Sequence, residues 1–68
     1  MYRIEIIDKN EILQASHNYK EKSDCMIAYN KIRNHVNVRY KLHGLTMQVF
    51  QGMNENDLQE LTKYRVEF

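Results

Sequence analysis

VNVRYKLHGLTMQVFQ, residues 36–51, is the stretch on which the reading of this 68-residue chain turns. Val36, Val38, Tyr40 and Leu42 alternate with Asn37, Arg39, Lys41 and His43. After Gly44 the alternation resumes, with Leu45, Met47 and Val49 set against Thr46, Gln48 and Phe50. Period-two patterning on both sides of a glycine predicts the two strands of a hairpin. A two-residue turn at His43-Gly44 pairs Leu42 with Leu45, Tyr40 with Met47 and Val38 with Val49, all on one face. The opposite face then carries Asn37, Arg39, Lys41, Thr46, Gln48 and Phe50.

A second hairpin is predicted nearer the N-terminus. Tyr2, Ile4 and Ile6 alternate with Arg3 and Glu5, the pattern resumes at Leu13 and Ala15, and Asp8-Lys9-Asn10-Glu11 supplies turn residues. An even loop pairs Ile7 with Ile12 and Ile6 with Leu13, which gives a core face of Tyr2, Ile4, Ile6, Leu13 and Ala15. Ile7 and Ile12 are then neighbours on the outer face, an exposed apolar pair.

Helical spacing joins the two hairpins. Cys25, Ala28, Tyr29, Ile32 and Val36 recur at i, i+3, i+4, i+7 and i+11. With Ser23 as N-cap and Asp24 in the first turn, an amphipathic helix is predicted over 24–35. Beyond Gly52, Asn54 is a candidate cap for a second helix that starts with Glu55 and Asp57 and stops near Lys63, with Met53 and Leu58 placed as a hydrophobic staple. Tyr64-Arg65-Val66-Glu67-Phe68 suits two geometries: a helix keeps Leu61, Tyr64 and Phe68 on one side, and a strand alternates Tyr, Val and Phe with charges. The likeness to Tyr2–Ile6 favours a short closing strand. The expectation is a single α+β domain spanning 1–68: two hairpins in one antiparallel sheet, two helices on one face, in the order ββαββα.

A chain this short buries only about 60% of its unfolded surface. Small domains compensate with disulfides, a metal or a partner. Cys25 is the only cysteine, so an internal disulfide and a multi-cysteine zinc site are both excluded. His17, His35 and His43 show no metal-ligand spacing, and no metal or other cofactor is expected. No apolar run approaches the ~18 residues of a membrane span, no signal-peptide core is visible, and a cytoplasmic location is the expectation. Cys25 belongs to the apolar helix stripe and reads as a buried, inert thiol. The glycines are Gly44 and Gly52 alone, so there is no glycine-rich phosphate loop. The acids at the predicted helix starts read as helix-terminal charges rather than acid/base groups. An enzyme is not expected.

Two binding readings remain. The first is a regulator or inhibitor that docks on another protein through Ile7, Ile12 and Phe50 on the open sheet face, a mixture that marks a protein partner. A homodimer is compatible with the same features. The abundance of Asn, Lys, Ile and Tyr suggests an AT-rich genome, such as that of a phage or other mobile element, where small accessory proteins are common. The second reading starts from charge. The net charge is only +1, yet no acid occurs from Cys25 to Asn54, while Lys31, Arg33, Arg39 and Lys41 fall there. Arg39, Lys41 and Phe50 on one open face, with Lys31 and Arg33 on the helix, predict RNA or single-stranded DNA binding as the alternative.

Overall fold

β1 (Tyr2–Ile7) lies inside a four-stranded sheet, flanked by β2 (Leu13–Tyr19) and β3 (Thr46–Gln51), with β4 (Gln59–Arg65) outside β3. This is the computed structural model of the chain, and it describes residues 1–67. Every pairing is antiparallel. Two helices, α1 (Lys22–Asn34) and α2 (Val36–Lys41), occupy the chain between β2 and β3. The α+β class, the antiparallel sheet and the pair of helices match the sequence expectation. The second helix comes earlier than predicted, before β3 rather than after the second hairpin, so the order is ββααββ. Among the described residues no helix is long and apolar enough to cross a membrane.

Register explains the core. Ile4 faces Val49 and Ile6 faces Met47 across the central pair, which puts four buried aliphatic side chains on one face. Cys25 and Tyr29, one turn apart on α1, close over them. Ala15, Tyr19, Ile32, Leu42, Leu45 and Tyr64 pack around this cluster at partial burial. Each fully buried side chain of this size contributes about 1.5–3 kcal/mol. Arg33, one turn beyond Tyr29, lays its guanidinium 5.6 Å from the Tyr29 ring centre and 4.9 Å from that of Tyr64. That tether joins α1 to β4 by cation–π attraction.

The predicted hairpin over 36–51 is half replaced by helix. β3 is a strand, but it pairs with β1 and β4, and residues 36–41 form α2. In a helix, residues two apart point about 200° apart, so the alternating apolar set divides. Val38 and Leu42 turn inward to partial burial, while Val36 and Tyr40 are 64% and 75% exposed. Tyr40 is therefore not the buried neighbour of Met47; Tyr64 is its partner across β3–β4. Gly44, at φ +86°, follows α2 in the connection to β3, and its N–H donates to the carbonyl of Val66.

The helix predicted after Asn54 is instead a turn followed by β4. The Asn54 side chain, a plausible cap, accepts from the backbone N–H of Asn56 at 2.8 Å, and its carbonyl accepts from Asp57 at 3.1 Å. The same side-chain geometry that caps helices closes turns. Gly52 is obligatory there, since a Cβ would stand 2.1 Å from the Asp57 carbonyl oxygen. The expected closing strand is present in Tyr64 and Arg65, at the end of β4, and Phe68 lies outside the described residues.

In the first hairpin the turn is wider than the even loop predicted. Asp8 organises it: its Oδ1 accepts from the N–H groups of Asn10 and Ile12 at 2.8 and 3.0 Å, and Glu11 adopts a φ of +63°. Ile7 then pairs with Leu13 and Ile6 with Ala15, a bulge absorbing Gln14. One extra residue moves Leu13 from the core face to the opposite face. α1 begins two residues before the predicted start, after Glu21 rather than at Ser23, and no side chain caps it.

Candidate functional site

The helices cover one face of the sheet and leave the other open. Three rows of side chains cross that open face, read from the pairing. Asn18, Arg3, Phe50 and Glu60 form the first, Ser16, Glu5, Gln48 and Lys63 the second, and Leu13, Ile7, Thr46 and Arg65 the third. Arg3 anchors the first row. Its Nε donates to Asn18 Oδ1 at 2.7 Å, and its guanidinium reaches Glu5 at 3.6 Å and Glu55 at 3.3 Å. The middle row is polar throughout.

Ile7 faces Leu13, not the expected Ile12, across β1–β2, and Ile12 stands just before the paired strand, where the Asp8 N–H donates to its carbonyl at 3.0 Å. Ile12 is 58% exposed, and Leu13, displaced by the bulge, is 53% exposed beside Ile7. A groove of about 270 Å³ opens next to Ile7, with Lys9, Lys63 and Arg65 among its lining cations and Asp8 and Glu11 among its acids. Leu13 was missed by sequence reasoning because a bulge leaves no mark in an alternating pattern. Phe50 occupies the predicted face with Gln48, but in the first row. Four residues of strand separate it from Ile7, about 13 Å, so the expected Ile7–Ile12–Phe50 patch is divided into a corner and a separate, half-buried aromatic.

The predicted cationic face is divided more completely. Arg39 and Lys41 belong to α2, and Lys31 and Arg33 to α1, so all four lie on the helical layer, across the sheet from Phe50. Arg33 is stacked on tyrosines, and the Arg39 Nη2 donates to the Glu67 carbonyl.

Elsewhere, Met1, Tyr2, Gln51, Met53, Gln59 and Leu61 help line a shallow cleft of about 570 Å³ at the other end of the strands. Among the described residues no group of three His, Cys, Asp or Glu side chains is placed to hold a metal ion. Burial pushes the Cys25 thiol up from its ordinary range, and it pushes the Tyr19 phenol up as well, with the neighbouring Cys25 adding to the effect on Tyr19. Comparison with protein-family models, with curated proteins and with solved structures finds no match.

Proposed function

We infer that the chain is a small non-catalytic binding protein of the cytoplasm, a regulator or inhibitor of the kind mobile genomes encode, and that it docks on another protein through the Ile7–Ile12–Leu13 corner. The observation that supports this is the corner itself: Ile7 and Leu13 paired at the end of a sheet face that no helix covers, with the exposed Ile12 adjoining Leu13 in the chain. Exposed aliphatics grouped at one place mark interaction sites more than scattered ones do. The groove beside Ile7 offers Lys9, Lys63 and Arg65 to a partner segment that presents an aliphatic residue next to an acidic one, whose carboxylate would compete with Glu60 for Lys63 and with Glu67 for Arg65. Capture from nuclease-treated lysate tests it, using the wild type beside Ile12→Ser/Leu13→Ser. Proteins held by the wild type through high salt and lost from the variant are the expected result. The same proteins on both would overturn the reading.

The second reading, RNA or single-stranded DNA binding, moves from the sheet to the helical layer. It is favoured by the placement of Lys31, Arg33, Arg39 and Lys41 on α1 and α2, beside the exposed Tyr40. Four cations neutralise at most about four phosphates, so affinity should fall with salt at a log–log slope no steeper than about −3 for a single strand. Titration of a labelled oligonucleotide at several salt concentrations checks this. Lys31→Ala and Lys41→Ala should each flatten the slope by about 0.7, and a slope near zero would exclude it.

A further inference from the structure

We propose that the outer edge of β2 pairs antiparallel with β2 of a second copy, joining two four-stranded sheets into one. β2 and β4 are the outer strands, and among the described residues no strand pairs with their outer sides. Such an edge presents a row of N–H and C=O groups that templates another strand, and proteins commonly blunt it with charge, lysine above all. β4 (QELTKYR) follows that rule, with Glu60, Lys63 and Arg65 all exposed. β2 (LQASHNY) does not, for it contains no Asp, Glu, Lys, Arg or Pro. Leu13, Gln14, Ser16, His17 and Asn18 are all exposed. His17 lies on the same face as Ile4, its partner on β1, yet the helices leave it uncovered. The bulge at Gln14 limits regular pairing to Ala15–Tyr19, enough for a short seam.

A second copy is the partner that fits because the strand is complementary to itself. Antiparallel pairing about His17 sets Ser16 opposite Asn18 on the open face and Ala15 opposite Tyr19 on the helix-covered face, each contact occurring twice around the two-fold axis. A hydroxyl meets an amide, a methyl meets an aromatic ring, the two His17 side chains face each other on the axis, and no Asp, Glu, Lys or Arg opposes another. The dimer seam uses a strand edge, so it is independent of whether the Ile7–Ile12–Leu13 corner docks a partner.

Sedimentation velocity over a range of concentrations is the test. The wild type should shift from about 8 to about 16.6 kDa, twice the 8.3 kDa chain. Ser16→Lys/Asn18→Lys places lysines opposite lysines and should weaken the dimer at least tenfold. Ser16→Glu/Asn18→Glu should do the same, and an equimolar mixture of the two variants should restore it as a heterodimer. A wild type that stays monomeric at every concentration, or a dimer indifferent to these substitutions, overturns the proposal. Should the variants lose their circular dichroism, hydrogen exchange of the wild type decides instead. Amide protection at Ser16–Asn18 that rises with protein concentration supports the seam, and protection that does not change overturns it.

Discussion

Met47 is fully enclosed, opposite Ile6 on one side and Tyr64 on the other. Truncation to alanine leaves a cavity that neighbours on two strands cannot collapse into, and should cost about 2–5 kcal/mol. An unchanged denaturant midpoint for Met47→Ala would contradict this packing. Cys25 is equally enclosed. Its thiol should react slowly with an aromatic disulfide until denaturant is added. Its titration has a sign that can be worked out. Folding favours the neutral thiol, so this contribution is complete below the unfolded thiol value of about 8.5 and is lost as pH rises through the higher folded value. Stability should therefore decline above about pH 8.5, and Cys25→Ala, though less stable overall, should show a shallower alkaline decline. Equilibrium denaturation across that pH range measures both.

At the scale of elements, what the sequence made legible was whatever had one geometric solution. β1 and α1 were readable because their apolar residues fit one period and one face, and β2 was readable as a strand although its Leu13 falls on the other face. β3 was readable as a strand, though not its partner, since alternation says which face a strand buries and nothing about which neighbour it joins. Residues 36–42 misled because a short alternating run suits two geometries. As a strand it has one apolar face, and as α2 it has an inner pair, Val38 and Leu42, and an outer pair, Val36 and Tyr40. The predicted cationic sheet face failed with it, because Arg39 and Lys41 travelled with the helix. Ile7 exchanged its expected partner Ile12 for Leu13 because the turn holds one residue more than an even loop. The two geometries differ in a measurable way. A hairpin would make Val36 and Val38 equivalent, whereas α2 should make Val36→Ala neutral within about 0.5 kcal/mol and Val38→Ala cost about 1–2 kcal/mol. Equal losses at both positions in chemical denaturation would contradict the helix.

For the molecule as a whole, charge and shape are divided between two sides. Charges of both signs alternate across the open sheet, and cations without acids gather along α1 beyond Asp24 and through α2. A corner of aliphatic side chains and an uncharged strand edge adjoin each other at β2, so one margin of the domain carries both proposed contacts while β4, on the far margin, is guarded. Binding at the corner should be insensitive to salt and binding at the helical layer steeply sensitive, which lets a single series of titrations assign a partner to a side.

The central β1–β3 seam has a consequence for how the protein assembles. Each hairpin joins residues close in sequence, but Ile6 and Met47 meet across about forty residues that include both helices. Hairpins form in about 1–10 μs, whereas closing the seam must first overcome the entropy of the longer loop. Closure of β1 on β3 should then be the late, rate-limiting event, with its contacts made in the transition state. Val49→Ala should slow refolding in stopped-flow measurements more than it speeds unfolding. A change confined to the unfolding rate would place the seam after the barrier, and the two hairpins would then be docking through their edges and helices before their buried strands meet.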